Sequence, residues 1–401
     1  MRFRLPAPAL MTGAGVVAAT AVAVAAVHGL TQTEASPISP TGIRHGLWIG
    51  GVIGAFVLYL AALLLLRHRG APLVAVIVLA VGVQLAPLAA PLLLSRDAFV
   101  YWDYGRIATV HHGNPYRDLP SRWPADPAYS RMGSDWHRTY DAYGPAWTLV
   151  AEADANAAGG SAADAGRIFK WVAAAGMLAL VGGAAFAARR RSYAAAFVGW
   201  NPLLALHSAG GGHNDAWMMA FTVVALGLGA RQRRMTAGAS WALAVAVKWL
   251  PLIFLPLEVA RRRARFPWIG LVCGFAGAAV VSSIFFGPWW VRAVVPVSNQ
   301  LQRSSTLSST YWLAKVGGTE RQWTVVLAVV FAFVYLWLLR EAWRGRTRFA
   351  LCAGLFCLSL SWLTPWYATW ALALAAIEED AAGTLLALAI TGYVLWDALP
   401  L

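Results

Sequence analysis

The sequence predicts an all-α, polytopic membrane protein, and its hydrophobic content and its arginine clusters carry that prediction. Hydrophobic residues make up 59% of the 401 residues, whereas charged residues make up only 12%. The apolar residues recur in runs of about 20, the length that crosses the hydrocarbon core of a bilayer as one helix. No linker interrupts them, so residues 1–401 are predicted to form a single integral membrane domain.

The positions of the basic residues predict how the helices are oriented. The formal net charge of +14 would suggest a nucleic-acid partner in a soluble protein. Here the arginines lie in short clusters at the ends of apolar runs, as at 189–191 and 231–234. Such clusters remain in the cytoplasm. The pattern therefore predicts that the protein contacts membrane lipids and does not bind nucleic acid. It also predicts about 11 crossings of the plasma membrane, with the N-terminus in the cytoplasm.

The first apolar run, residues 6–30, is open to two interpretations. Arg2 and Arg4 precede it, as basic residues precede the apolar core of a signal peptide. Its length of about 20 residues exceeds that of a usual signal-peptide core, so we predict a retained first helix.

The run at 235–260 is predicted to be a hairpin of two half-helices. Arginine clusters flank it on both sides, so a single crossing would leave one cluster outside. Pro251 breaks a helix where a turn is needed, which places Lys248 near the tip. A lysine in that position costs about 2.5 kcal/mol or more unless it snorkels or meets an anion. We favour an anion, namely a lipid phosphate, over snorkelling.

Polar residues concentrate in the segment 95–145, the first large outer loop, which is predicted to carry the active site. Asp97 follows an apolar helix directly, so its carboxylate should lie at the outer interface, where it could act as a general base. The alternative is an ion pair with Arg96 or Arg106. Asp103, six residues later, faces the same choice.

Other polar stretches lie on the same predicted outer side. Residues 288–322 form a second outer loop, and 143–160 is predicted to be an outer-face or partly inserted helix because Glu152 and Asp154 make it a poor span. The run His213-Asn214-Asp215 follows three glycines and is either a short polar turn or part of a site.

Metal and cofactor sites are not predicted. The three cysteines lie inside apolar runs, where a small buried hydrophobe is expected, and the two early aspartates have no third ligand at a diagnostic spacing. Trp366 and Tyr367 either belong to an interfacial aromatic belt or stack on sugar rings.

The order of these motifs resembles a known family. The motifs are Asp97 to Tyr101, Gly105-Arg106, Gly113 to Tyr116, Tyr143-Gly144-Pro145, Asn201 to His207, Gly211 to Asp215, Ala246 to Lys248 with Pro251, and Pro365-Trp366-Tyr367. Together they resemble the actinobacterial polyprenol-phosphomannose-dependent alpha-mannosyltransferases of the C-type glycosyltransferase superfamily.

The resemblance implies an inverting enzyme that moves a sugar from a polyprenyl-phosphate donor to a lipid-linked glycan acceptor at the outer face. Mannose is the first choice of sugar, with arabinose and glucose open. Asp97 would be the base and Asp103 its alternative. The donor phosphate would bind Lys248, followed by Arg106, Arg138, His213 and Arg303. Substrate contacts would come from Asn214, Asp215, Tyr101, Tyr143, Trp366 and Tyr367. A polyprenyl phosphate leaves readily, so no cofactor or metal is required.

Two other classes of protein remain as alternatives. A transporter or flippase of a lipid-linked sugar would also need polar outer loops, but transporters tend to show internal repeats and polar residues near the bilayer midplane. A non-catalytic scaffold would not need an acid, a lysine hairpin and a His-Asn-Asp turn on one side. The polar residues here gather at one face without a visible repeat, which favours an enzyme.

Overall fold

The structure is a computed structural model that describes residues 8–30, 41–294 and 303–399. Its regular elements there are helices, and 17 of them are α-helices. The first nine are α1 (Pro8–Val27), α2 (Ile43–Arg69), α3 (Leu73–Leu85), α4 (Asp97–Thr109), α5 (Pro145–Ala158), α6 (Ala162–Ala187), α7 (Arg191–Gly199), α8 (Pro202–Leu204) and α9 (Asp215–Ala230). The others are α10 (Arg234–Val247), α11 (Leu255–Arg262), α12 (Trp268–Phe286), α13 (Ser309–Val316), α14 (Glu320–Trp343), α15 (Phe349–Ser359), α16 (Ala368–Ala375) and α17 (Ala381–Val394).

Six helices of the described chain are long and apolar enough to cross a membrane: α1, α2, α6, α14, and α12 and α17 with their 3-10 extensions. Three more, α3, α9 and α15, are apolar but shorter. The predicted all-α polytopic membrane fold is confirmed. The number of crossings, about 11, and their orientation stay predictions, because length and composition alone give six.

Helices α12 and α14 turn apolar side chains away from the protein. Ile284 on α12 is 73% exposed and Phe333 on α14 is 70% exposed. Apolar surface of this extent is unfavourable in water and favourable against lipid tails. These helices therefore present a lipid-facing surface, whereas α9 packs against both α6 and α10.

A 3-10 turn at Ala86–Ala89 and an irregular stretch after it connect α3 to α4 and position Asp97. The buried side chain of Lys170 on α6 holds this segment by donating from Nζ to the carbonyls of Pro87 (2.7 Å) and Pro91 (3.1 Å), and to that of Ala90. The amide of Leu93 donates to the carbonyl of Gly210 at 2.9 Å. Irregular backbone among apolar helices is stable only when such partners satisfy it.

The chain reverses direction between α10 and α11. Lys248 interrupts the helix with an extended backbone, and a 3-10 turn at Leu250–Ile253 follows. At the end of α11, Arg262 Nη1 donates to the carbonyl of Gly229 at 2.8 Å, beside the start of α10. The two half-helices therefore leave from and return to the same side of the bundle, with Lys248 at the far end.

Helix α5 connects the segment 95–145 to this reversal. The amide of Gly144, just before α5, donates to the carbonyl of Val247 at 3.0 Å, so α5 begins beside Lys248.

Gly105 on α4 packs against the backbone of α5, and a Cβ there would lie 2.2 Å from the carbonyl oxygen of Ala151. Only glycine permits this close approach.

Candidate active site

Asp97 and His213 form one half of a polar cluster. Asp97 opens α4, and its side chain is 16% exposed. The Nδ1 atom of His213 lies 3.5 Å from Asp97 Oδ2. The imidazole is fully buried and stacks on the ring of Trp366, with the ring centroids 3.8 Å apart. The carboxylate therefore has a ring nitrogen beside it that is fixed in place.

Asp215 and Lys248 form the other half. The ammonium of Lys248 donates to both carboxylate oxygens of Asp215, at 2.9 and 3.0 Å. Trp370 Nε1 donates to Asp215 Oδ1 at 2.6 Å. Asp215 is fully buried, whereas the side chain of Lys248 is 18% exposed. The anion that Lys248 meets in the folded chain is thus the carboxylate of Asp215.

Aromatic rings enclose Lys248. Its Nζ lies 5.2 Å from the ring centroid of Tyr367 and 5.6 Å from that of Trp370. These two rings stack on each other at 4.0 Å. The faces of aromatic rings attract a cation and displace water from it. The ammonium is thus paired with Asp215 in surroundings that hold little water.

The pKa values of Asp97 and His213, which both lie outside the membrane-spanning helices, move in opposite directions. Burial raises the pKa of Asp97 to about 7; the charges of Lys248 and Arg303 oppose this rise, and that of Asp215 adds to it. Burial holds the pKa of His213 well below its ordinary value, and the charge of Lys248 lowers it further. Near neutral pH, Asp97 can therefore accept a proton while His213 stays uncharged.

Tyr101 and Tyr143 pack beside the cluster. Their rings meet edge to face with centroids 4.8 Å apart, and both side chains are buried. Burial raises the pKa of the Tyr101 hydroxyl, and the charges of Asp97 and Asp215 contribute. Tyr101 is thus near both carboxylates.

Comparison with known families identifies the chain. Residues 9–262 match the family model described as Alpha-(1->6)-mannopyranosyltransferase, N-terminal domain. The match covers more than half of the chain and includes Asp97, His213, Asp215 and Lys248. The chain belongs to this family. Residues 164–365 of this glycosyltransferase also match the model of Glycosyltransferase family 87. No curated protein and no solved structure gave a match.

The family memberships confirm the predicted mannosyltransferase resemblance and transferase activity. Both matched families are glycosyltransferases, so the enzyme acts on a sugar donor and an acceptor. A membrane-embedded glycosyltransferase also agrees with the apolar helices described above.

Asp103 and Arg106 of the glycosyltransferase lie apart from this cluster. Arg106 Nε donates to Asp126 at 2.8 Å, and its Nη1 donates to the carbonyl of Gly159 at 2.6 Å. Burial, together with the charge of Asp126, raises the pKa of Asp103 to about 7. Six residues along a helix correspond to a rotation of about 240° from Asp97. Asp103 therefore faces the Arg106–Asp126 pair rather than His213.

The other two predicted arginines also have separate surroundings. Arg303 donates from Nη2 to the carbonyl of Asp135 at 2.5 Å and to Thr139 Oγ1 at 3.3 Å. Its positive charge opposes the rise in the pKa of Asp97 that burial causes. Arg138 is exposed, and it has no hydrogen bond or ion pair within the described residues. Neither arginine contacts Lys248.

The remaining candidates flank the cluster. Asn214, between His213 and Asp215, is fully buried, and its side-chain amide has no partner among the described residues. Anywhere in the described residues, no three His, Cys, Asp or Glu side chains come close enough together to hold a metal ion.

Two residues of the site were not among the sequence candidates. Trp370 binds Asp215, and its spacing of three residues from Tyr367 is a signal that would have placed both rings on one helix face. Lys170 holds the segment before Asp97, but its partners are backbone carbonyls about 80 residues away. No local sequence pattern marks such a contact.

Proposed function

We propose that this glycosyltransferase moves mannose from a polyprenyl-phosphate donor to a lipid-linked glycan acceptor, with inversion, at the extracytoplasmic face of the plasma membrane. One observation carries the proposal. Of the four ionisable groups in the cluster, His213 and Asp215 are fully buried, whereas Asp97 and Lys248 are partly exposed. A carboxylate and an ammonium are thus the two groups that substrates can reach.

Asp97 acts as the general base. The acceptor hydroxyl attacks the anomeric carbon, the bond from that carbon to the phosphate oxygen breaks, and the hydroxyl proton passes to the Asp97 carboxylate. A sugar hydroxyl is a weak acid, so the proton must leave as the new bond forms. A base with a pKa of about 7 is suited to this step near neutral pH.

Lys248 stabilises the departing polyprenyl phosphate. An ammonium has three N–H donors. The two carboxylate oxygens of Asp215 accept two of them, which leaves the third N–H for a phosphate oxygen. The low polarity around the aromatic rings strengthens that contact relative to water. Asp215 accordingly orients Lys248 rather than contacting the sugar.

Trp366 stacks on His213, which lies beside Asp97, and the ring of Tyr367 lies next to the ammonium of Lys248. We assign them, with Tyr101 and Tyr143, to the walls around the transferred sugar. Mannose is the proposed sugar because the matched family is named for mannopyranosyl transfer.

A transfer assay tests this function. Membranes containing the protein are expected to move labelled mannose from polyprenyl phosphomannose into glycolipid, and polyprenyl phosphoarabinose should give far less product. Proton NMR of the product should show the anomeric configuration opposite to that of the donor. Movement of the intact donor across vesicles without a new glycosidic bond would instead support a flippase.

His213 is proposed to orient Asp97, although the sequence pattern suggested phosphate binding. His213→Phe keeps the stack on Trp366 and removes Nδ1. Loss of the ring nitrogen that lies 3.5 Å from the Asp97 carboxylate should lower kcat by about tenfold. Steady-state kinetics should show a donor KM within about twofold of wild type. A raised donor KM with unchanged kcat would show instead that His213 binds the donor phosphate.

A further inference from the structure

Arg303 lies between two tryptophans from distant parts of the chain. Its Cζ is 4.6 Å from the ring centroid of Trp136 and 5.9 Å from that of Trp362. Trp136 belongs to the segment 95–145, and Trp362 to the turn after α15. Both indoles are half-buried, so each keeps some ring surface free.

Hydrogen bonds hold the three residues in one surface. Arg303 donates to the carbonyl of Asp135, next to Trp136, at 2.5 Å. Two residues after Arg303, the amide of Ser305 donates to the carbonyl of Ser361 at 3.0 Å, and its hydroxyl donates to the carbonyl of Leu363 at 2.7 Å. Each tryptophan therefore has a neighbour bonded to the segment that carries Arg303.

A row of aromatic rings connects Trp136 to the proposed base. Trp136 is stacked with Tyr143 at 6.4 Å, and Tyr143 contacts Tyr101, one helical turn after Asp97. Trp362 precedes Trp366 by four residues in the chain, and Trp366 stacks on His213 beside Asp97, but the described residues show no ring contact between the two tryptophans. Trp136 is half-buried whereas Tyr143 and Tyr101 are buried, so the surface lies at the more accessible end of this row.

The chemistry of the surface fits a sugar. One face of a pyranose ring is apolar and stacks on an indole, while its hydroxyls accept hydrogen bonds from a guanidinium. Lys248, the proposed phosphate ligand, belongs to the hairpin and contacts none of these residues. Two substrates need two subsites, and this one is separate from the donor phosphate.

We propose that Trp136, Arg303 and Trp362 form the subsite that binds the sugar of the acceptor glycan. The inference rests on the proposed function and adds the place where the acceptor binds. The acceptor hydroxyl would reach Asp97 along the row that contains Tyr143.

Kinetics with a defined acceptor test the subsite. Purified protein in detergent is supplied with polyprenyl phosphomannose and octyl α-mannopyranoside. Trp136→Ala and Trp362→Ala are each expected to raise the acceptor KM about tenfold, with little change in donor KM. Trp396→Ala, at a 59% exposed tryptophan in the C-terminal 3-10 turn, is the matched control and should behave as wild type. Unchanged acceptor KM in both variants overturns the subsite.

Equilibrium binding separates this inference from the proposed reaction. Calorimetric titration of octyl α-mannopyranoside into wild type should give a saturable isotherm, which Trp136→Ala and Trp362→Ala lose. That result supports the subsite even if the donor sugar is wrong and no transfer occurs. Absent binding to wild type, or equal isotherms for wild type and both variants, overturns the subsite and leaves the assignments of Asp97 and Lys248 to the transfer assay.

Discussion

Asp97→Asn is expected to lower kcat by about 10³-fold while the protein stays folded. The amide keeps the size of the carboxylate but cannot take the proton of the acceptor hydroxyl. Asp97 is partly exposed, and the His213 ring beside it is uncharged near neutral pH, so replacing Asp97 breaks no buried ion pair. The measurement is single-turnover transfer from polyprenyl phosphomannose, alongside thermal unfolding to verify the fold.

Asp103→Asn is the matched control because it removes a carboxyl from the same helix. Asp103 is more buried than Asp97, and its pKa is likewise raised to about 7, yet it faces Arg106 and Asp126. Its replacement should leave kcat within a few-fold of wild type. If Asp103→Asn abolishes transfer and Asp97→Asn does not, the base is Asp103.

The dependence of rate on pH follows from the same assignment. A base works when ionised, and the pKa of Asp97 is raised to about 7, so kcat/KM should rise with pH up to that region. Below it, the rate should fall about tenfold for each pH unit. The residual activity of Asp97→Asn should not show this decrease in rate at low pH. A wild-type profile flat from pH 5 to 8 would contradict a base with this pKa.

The helical class was predictable because a bilayer requires long apolar runs, and 59% hydrophobic residues arranged in such runs leave few other folds. The break at Lys248 was equally accessible, since Pro251 cannot continue a helix. The number of crossings, about 11, stays a prediction, because α7 and α16 are too short to count as spans by length and composition alone.

The site was predictable in its members more than in their pairing. Asp97, His213, Asp215 and Lys248 were all candidates, and the structure brings them together. The pairing of Lys248 with Asp215 depends on how α10 packs on α9, which spacing in the sequence does not encode. Asp103 and Arg106 shared a polar segment with Asp97, but the helical rotation that separates them is visible only once α4 is known to begin at Asp97.

Lys248→Met is expected to reduce transfer strongly and to lower stability at the same time. The methionine fills similar space, but the fully buried carboxylate of Asp215 loses its ammonium partner and, among the described residues, keeps the side-chain donor of Trp370 alone. Breaking a buried ion pair in this way costs about 3–5 kcal/mol. Lost activity in the single variant would therefore have two explanations, a missing phosphate ligand or a damaged fold.

The double variant Asp215→Asn with Lys248→Met separates them. It removes both charges, so the unfolding temperature should recover most of what the single variant loses. Transfer should stay low, because the departing phosphate still lacks a cation. In both variants the loss should fall on use of the donor more than of the acceptor, measured as kcat/KM for each substrate. If turnover recovers together with stability, Lys248 only neutralises Asp215, and the phosphate must bind another cation.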